Sequence, residues 1–178
     1  MRAETVAKNY AEALFALGEK SGNTVAYAEW MDAVAGAIEV SPKVEAVLLS
    51  PKVTKEAKTR ILVESVSAAP REFQLFLAAV VKRGRQVLFG EIAAAYMGLL
   101  DIKLDRARAG VTLVREPDPA LRAAIVASLE KKIGKEVIAT FAEDAEILGG
   151  IVVRLGDRVL DGSLRRRLTR LRRQLLTR

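Results

Sequence analysis

Near residue 105 the spacing of the apolar residues stops being purely helical and strand periods enter, and that change limits what each half can fold into. Up to about residue 105 the spacing is helical. Val6, Tyr10, Ala13, Leu14 and Leu17 form one stripe, with Ala7, Ala11 and Phe15 beside it, and Gly18 to Asn23 supplies a break. A second helix carries Tyr27, Trp30, Met31, Val34 and Ile38. Ser41-Pro42 reads as an N-cap before proline at the first helical position, Ser50-Pro51 ends that short helix, and Thr54 caps the next, with Ile61 and Leu62. Pro70 opens a helix with Phe73, Phe76, Leu77 and Val80 that Arg83-Gly84 ends, and a longer one follows with Leu88, Ile92, Ala95, Leu99 and Ile102. Six helices with short connections predict an antiparallel bundle over residues 1–105.

Beyond Asp105-Arg106 the period falls to two. Ala107, Ala109, Val111 and Leu113 alternate with Arg108, Gly110, Thr112 and Val114, which predicts a strand. Asp118-Pro119 starts a helix through Leu121, Ile125, Leu129 and Ile133 that stops at Gly134, and Val137, Ala139 and Phe141 alternate again. Gly149-Gly150-Ile151-Val152-Val153-Arg154-Leu155-Gly156-Asp157-Arg158-Val159-Leu160-Asp161-Gly162-Ser163 then reads as strand, two-residue turn, strand and helix cap. Leu164, Leu168, Leu171 and Leu175 form a seam flanked by arginines, predicting a terminal helix packed on the hairpin of Ile151 to Leu160. The fold class is therefore mainly α in two domains: a six-helix bundle, then over residues 106–178 a small α+β domain with a β-hairpin and terminal helix. At roughly seventy residues that second domain is marginal alone.

The chain has no cysteine and no histidine, which removes thiolate chemistry, the commonest general base and the commonest transition-metal ligands. No cofactor, metal or catalytic residue is predicted. Gly156 and Gly162 have the wrong spacing for a phosphate-binding loop. Asp157-Arg158 and Asp161 read as turn formers and a local ion pair, and Glu143, Asp144 and Glu146 as a solvated acidic loop without calcium-loop spacing. The N-terminus has no hydrophobic signal core, and no apolar run approaches a membrane span, so the protein is expected in a cytoplasm, meeting a membrane only through partners.

The formal charge of +7 raises nucleic-acid binding as an alternative function, a basic RNA-binding module. Its location argues otherwise. Residues 163–178 hold seven arginines and no acid, which leaves 22 basic and 22 acidic residues in 1–162. The excess sits on one terminal helix, with no interleaved aromatics to stack bases. In the helical part, alanines at helical spacing (Ala7, Ala11, Ala13, Ala78, Ala79) suit either tight internal packing or a groove for a partner's helix. Trp30 suits core or interface alike.

Residues 149–168 closely resemble the signature of the delta subunit of F-type ATP synthases, whose mitochondrial counterpart is the oligomycin-sensitivity-conferring protein. Ala7 through Phe15 is similar to that family's opening helix, and Trp30, Leu49-x-Pro51, Phe73 and Arg83-Gly84-Arg85 fall in the expected order. Asn9 stands where a basic residue often precedes the tyrosine, and Val114-Arg115 replaces a small pair that commonly ends the first strand of the second domain.

The resemblance implies a stator, a non-catalytic link that holds the catalytic head still while the rotor turns, so that proton flow is coupled to ATP synthesis. The helical domain would grip the N-terminal helices of the alpha subunits through a groove between its first and fifth helices, lined by Tyr10, Ala13, Leu14, Phe76, Ala79 and Lys82 with Trp30 nearby. The second domain would hold the C-terminal ends of the b-subunit dimer, with Gly149, Gly150, Gly156, Asp157, Asp161, Gly162 and Ser163 on that side. The complex would place the protein peripherally on the cytoplasmic face of a bacterial plasma membrane.

Overall fold

A computed structural model describes residues 3–156 and 158–176. Among the described residues there are eight α-helices and four strands, helices first. The chain divides into two compact units, residues 1–100 and 101–178.

The first unit is built from α1 (Ala3–Ser21), α2 (Thr24–Val40), α3 (Pro42–Leu49), α4 (Lys55–Ser65), α5 (Arg71–Lys82) and most of α6 (Phe89–Lys103). Local chemistry sets most boundaries. Thr54 accepts a hydrogen bond from the Ala57 amide, Pro42 occupies the first turn of α3, and Gly84 at φ 68° ends α5. Ser41 precedes α3 at the N-cap position, but its side chain makes no capping bond. The predicted break at Gly18–Asn23 is narrower than expected. Helix α1 runs through Gly18 to Ser21, and the chain turns at Gly22, φ 69°. Gly18 serves packing, since a Cβ there would lie 3.0 Å from the Tyr96 hydroxyl and 3.1 Å from the Thr24 Cα.

The core of this unit joins Ala7, Ala11 and Leu14 of α1, Tyr27 and Met31 of α2, Phe73, Leu77 and Val80 of α5, and Ile92 and Tyr96 of α6. Tyr27 and Phe73 pack with ring centroids 5.6 Å apart, and the buried Tyr96 hydroxyl donates to the Thr24 carbonyl at 2.9 Å. Burial pushes the Tyr96 phenol up to about 12. The buried face of α1 is thus the alanine face. Val6 and Tyr10 are half-buried, and Ala13 and Leu17 are exposed.

The second unit is a four-stranded sheet in the order β2-β1-β3-β4. Its strands are β1 (Arg106–Leu113), β2 (Glu136–Glu143), β3 (Ile151–Leu155) and β4 (Arg158–Asp161). β1 pairs parallel with β2 and antiparallel with β3, and β3 pairs antiparallel with β4. The parallel pair is bridged by α7 (Pro119–Ile133), as a parallel connection requires. Asp118 caps α7 by accepting from the Leu121 amide at 2.7 Å, and Gly134 ends it at φ 77°. Leu129 of α7 joins Ala109, Val111, Val137 and Val153 in a small core. The first strand ends at Leu113, one residue before Val114.

The terminal helix α8 (Leu164–Leu176) departs from the expectation drawn from its leucine seam. None of its described residues is buried. Leu168 is 56% exposed, Leu171 54% and Leu175 77%, and the hairpin residues Val159 and Leu160 facing that side are exposed too. The seam is helical, as expected, but it is not packed on the hairpin. The reason is width. α7 covers the β1–β2 part of its face of the sheet, and α8 stands away from the β3–β4 part without closing on it. Among the described residues, no helix is long and apolar enough to cross a membrane.

Candidate functional site

In the helical unit α1 and α5 lie side by side, with Tyr10 and Phe76 meeting edge-on at 6.3 Å between ring centroids. Of the residues expected to line a groove between them, Ala13, Ala79 and Lys82 are exposed and Tyr10 is half-buried. Phe76 and Leu14 are buried in the core of this unit. Leu75 of α5, which its sequence context does not single out, is 60% exposed. Leu75, Ala79 and Lys82 recur at helical spacing, so α5 presents one partly apolar outer strip beside its buried one. The Lys82 carbonyl accepts from Lys55 Nζ at 2.9 Å, which ties α5 to the start of α4. Trp30 is half-buried on α2.

In the second unit the glycine-rich signature works as a clasp at the root of α8. Leu148 (φ 61°), Gly149 (φ 156°) and Gly150 (φ 82°) form a run of left-handed and related conformations. A Cβ on Gly149 would lie 2.6 Å from Leu164 Cδ1, and one on Gly150 would collide with the Gly162 carbonyl. The close approach is closed by hydrogen bonds: the Gly162 amide donates to the Ile151 carbonyl, and the Leu164 amide to the Gly149 carbonyl, each at 2.9 Å. The Ser163 side chain accepts from the Arg166 amide at 3.2 Å, while the Ser163 amide donates to Asp161 Oδ1 at 2.9 Å. Hydrogen bonds from Ser163, side chain first, hold the Asp161 carboxyl below its ordinary value, and Arg166 adds to the effect. Gly156 begins the hairpin turn at φ 53°; Asp157 lies outside the described residues. The signature groups thus organise backbone, and they do so at the point where α8 departs.

What sequence reasoning missed is the space beside that clasp. A groove of about 1200 Å³ separates α8 from α7 and the hairpin. Its floor is Leu121, Ile125 and Leu129 of α7 with Ile151, Val153, Val159 and Leu160 of the hairpin, and Arg166, Arg167 and Arg170 stand along its α8 side. The one available signal was the step of four between Leu121, Ile125 and Leu129, which marks an apolar face longer than one strand pair can cover. In the acidic loop, Asp144 accepts from the Glu146 amide at 2.8 Å and Glu146 pairs with Arg165 at 2.8 Å. Among the described residues no group of three or more acidic side chains is placed to hold a metal ion.

Comparisons with known proteins bear on the whole chain. The family model described as ATP synthase delta (OSCP) subunit matches residues 6–175. The ATP synthase subunit delta of Gemmatimonas aurantiaca is 39% identical over 176 residues, 98% of this chain and 95% of that protein. That of Xanthomonas campestris pv. campestris is 36% identical over 176 residues, 98% of each. A chain from the cryo-EM structure of the Toxoplasma gondii mitochondrial ATP synthase hexamer superposes with a TM-score of 0.73 over 96% of this chain and 97% of its own, at 24% identity, a likeness of fold. The chain belongs to the ATP synthase delta (OSCP) subunit family.

Proposed function

We propose that this protein is the peripheral-stalk subunit of an F-type ATP synthase, a non-catalytic strut between the catalytic head and the membrane-anchored b subunits. The observation that carries the reading is that the family relation spans both units. The helical unit takes an alpha-subunit N-terminal helix between α1 and α5, where the small side chains of Ala13 and Ala79 allow close approach beside Tyr10 and Phe76. The second unit holds the C-terminal ends of the b dimer. Two contacts on two units put the protein in line with the torque on the head. A link under load needs slow dissociation, and a nanomolar contact corresponds to about 12 kcal/mol. The complex, and not a helix of this chain, brings the protein to the cytoplasmic face of the membrane.

The test is recovery of the tagged full-length chain from cells under mild detergent. Alpha, beta and b subunits are expected to accompany it. An alpha N-terminal peptide is expected to shift amides on α1 and α5 and to perturb Trp30 fluorescence. Recovery of RNA in a salt-sensitive complex, with none of the three subunits, would overturn the proposal.

A further inference from the structure

We infer that the groove between α7, the hairpin and α8 is a helix-sized slot for an acidic amphipathic helix, seated on the apolar floor and held by the α8 arginines. The inference rests on the stalk reading for the identity of the helix, the C-terminal end of a b chain, but its chemistry comes from this protein. Exposed apolar side chains gather along this groove: Leu121, Val159, Leu160 and Leu171 line it and are all between 42% and 54% exposed. Exposed apolar surface gathered in this way marks an interaction site. At about 10 Å across and 5.4 Å per turn, a helix fills roughly 400 Å³ per turn, so the 1200 Å³ groove accepts about three turns.

Charge selects the occupant. Arg165 is paired with Glu146 and Arg166 lies 4.0 Å from Asp161, whereas Arg167, Arg170 and Arg172 have no acidic partner among the described residues. Among the described residues Asp161 is the only acid lining the groove, against Lys132, Arg166, Arg167 and Arg170. A second copy of this chain would bring arginines against arginines. A basic or neutral helix would leave them uncompensated. A helix with leucines on one face and carboxylates on its flanks satisfies both the floor and the rim, and the long-range field steers it in.

The full-length chain is titrated with a synthetic helix of about 20 residues, leucine at i, i+3, i+4 and i+7 and glutamate elsewhere, and with the same helix bearing lysine for glutamate. The glutamate helix is expected to shift amides of α7, β4 and α8, to bind less tightly as salt rises, and to lose about tenfold in affinity in the Arg167→Gln, Arg170→Gln double variant. Equal binding of the lysine helix, or shifts elsewhere, overturns the inference. So does adsorption to phosphatidylcholine vesicles containing phosphatidylserine with the peptide ignored. Purifying the ATP synthase with the same double variant separates the two proposals. Loss of b from the variant complex alone supports the slot. Retention of b in both the arginine variant and Leu168→Ser, Leu171→Ser overturns the slot and leaves the stalk reading standing. Absence of b from the wild-type complex overturns the stalk reading, and the peptide titration then decides the slot by itself.

Discussion

Helices α5 and α8 carry similar apolar stripes and meet opposite fates. α5 buries Phe73, Phe76, Leu77, Val80 and Val81, whereas α8 buries none of its leucines. The difference does not lie in the stripe. α5 arrives in the middle of a bundle, with α1 and α4 against it, and its aromatic rings reach Tyr10 and Tyr27. α8 arrives last, is fastened at its first turn by the glycine clasp, and meets a sheet face of which α7 already covers part. An amphipathic pattern specifies that a helix needs a neighbour; the rest of the chain decides whether that neighbour is its own. In this protein the unsatisfied helix is also the most basic segment, which suits a surface completed by something else.

The comparison can be broken most forcefully in the bundle. Phe73→Ala empties a site of zero exposure beside Tyr27, with an expected loss of about 3–5 kcal/mol. Residue-resolved hydrogen exchange on the full-length chain should show the loss in α1, α2 and α5. Unchanged protection there would mean that the helical core is not the continuous unit described.

Alkaline pH probes the same core through Tyr96. Its phenol is neutral and buried, with a folded value raised to about 12 from 10.0. The sign follows from the neutral form being favoured in the folded state. The contribution, about 2–3 kcal/mol, is complete below pH 10 and is lost as pH rises from there through about 12. Denaturant midpoints of the wild type and Tyr96→Phe should therefore diverge between pH 10 and 12, the wild type falling further. Parallel curves would refute the burial of that hydroxyl.

A smaller effect is expected at the clasp. Gly150→Ala adds a Cβ against the Gly162 carbonyl at a positive φ, and about 1–3 kcal/mol of local stability should go. The loss is expected as faster exchange at Gly162 and Leu164, the amides that close the clasp, with Tyr27 and Phe73 in the bundle unaffected. Exchange at Gly162 and Leu164 as slow as in the wild type would show that α8 is not held there.

Local signals in the sequence were legible. Thr54, Pro70, Asp118 and Gly134 stand where single-residue capping and turn chemistry puts them, because those interactions span only a few residues. The change of period also separated helices from strands. Where expectation and structure part, tertiary context intervened. On α1 the larger residues suggested one stripe, yet the buried face follows Ala7, Ala11, Leu14 and Gly18, since small side chains let α2 and α6 come close. The glycines of 149–162 were legible as turn formers, but their contact across the clasp depends on two segments meeting. The apolar face of Leu121, Ile125 and Leu129 was legible, but the groove above it was not, because it exists only as a separation between α7 and α8, and no residue type encodes a gap.

The smallest expected effect is the sharpest test of the contrast. Leu168→Ser with Leu171→Ser removes two large apolar side chains from an amphipathic helix, a change that would cost about 2–5 kcal/mol per site in a packed seam. Both are more than half exposed, so the isolated full-length chain should change by less than about 0.5 kcal/mol per site, with intact exchange protection in β1, β3 and α7. A large destabilisation would mean that α8 closes on the hairpin in solution, filling the slot with its own leucines. Near-neutrality combined with weakened binding of the acidic helix would place these leucines where stability does not need them and association does.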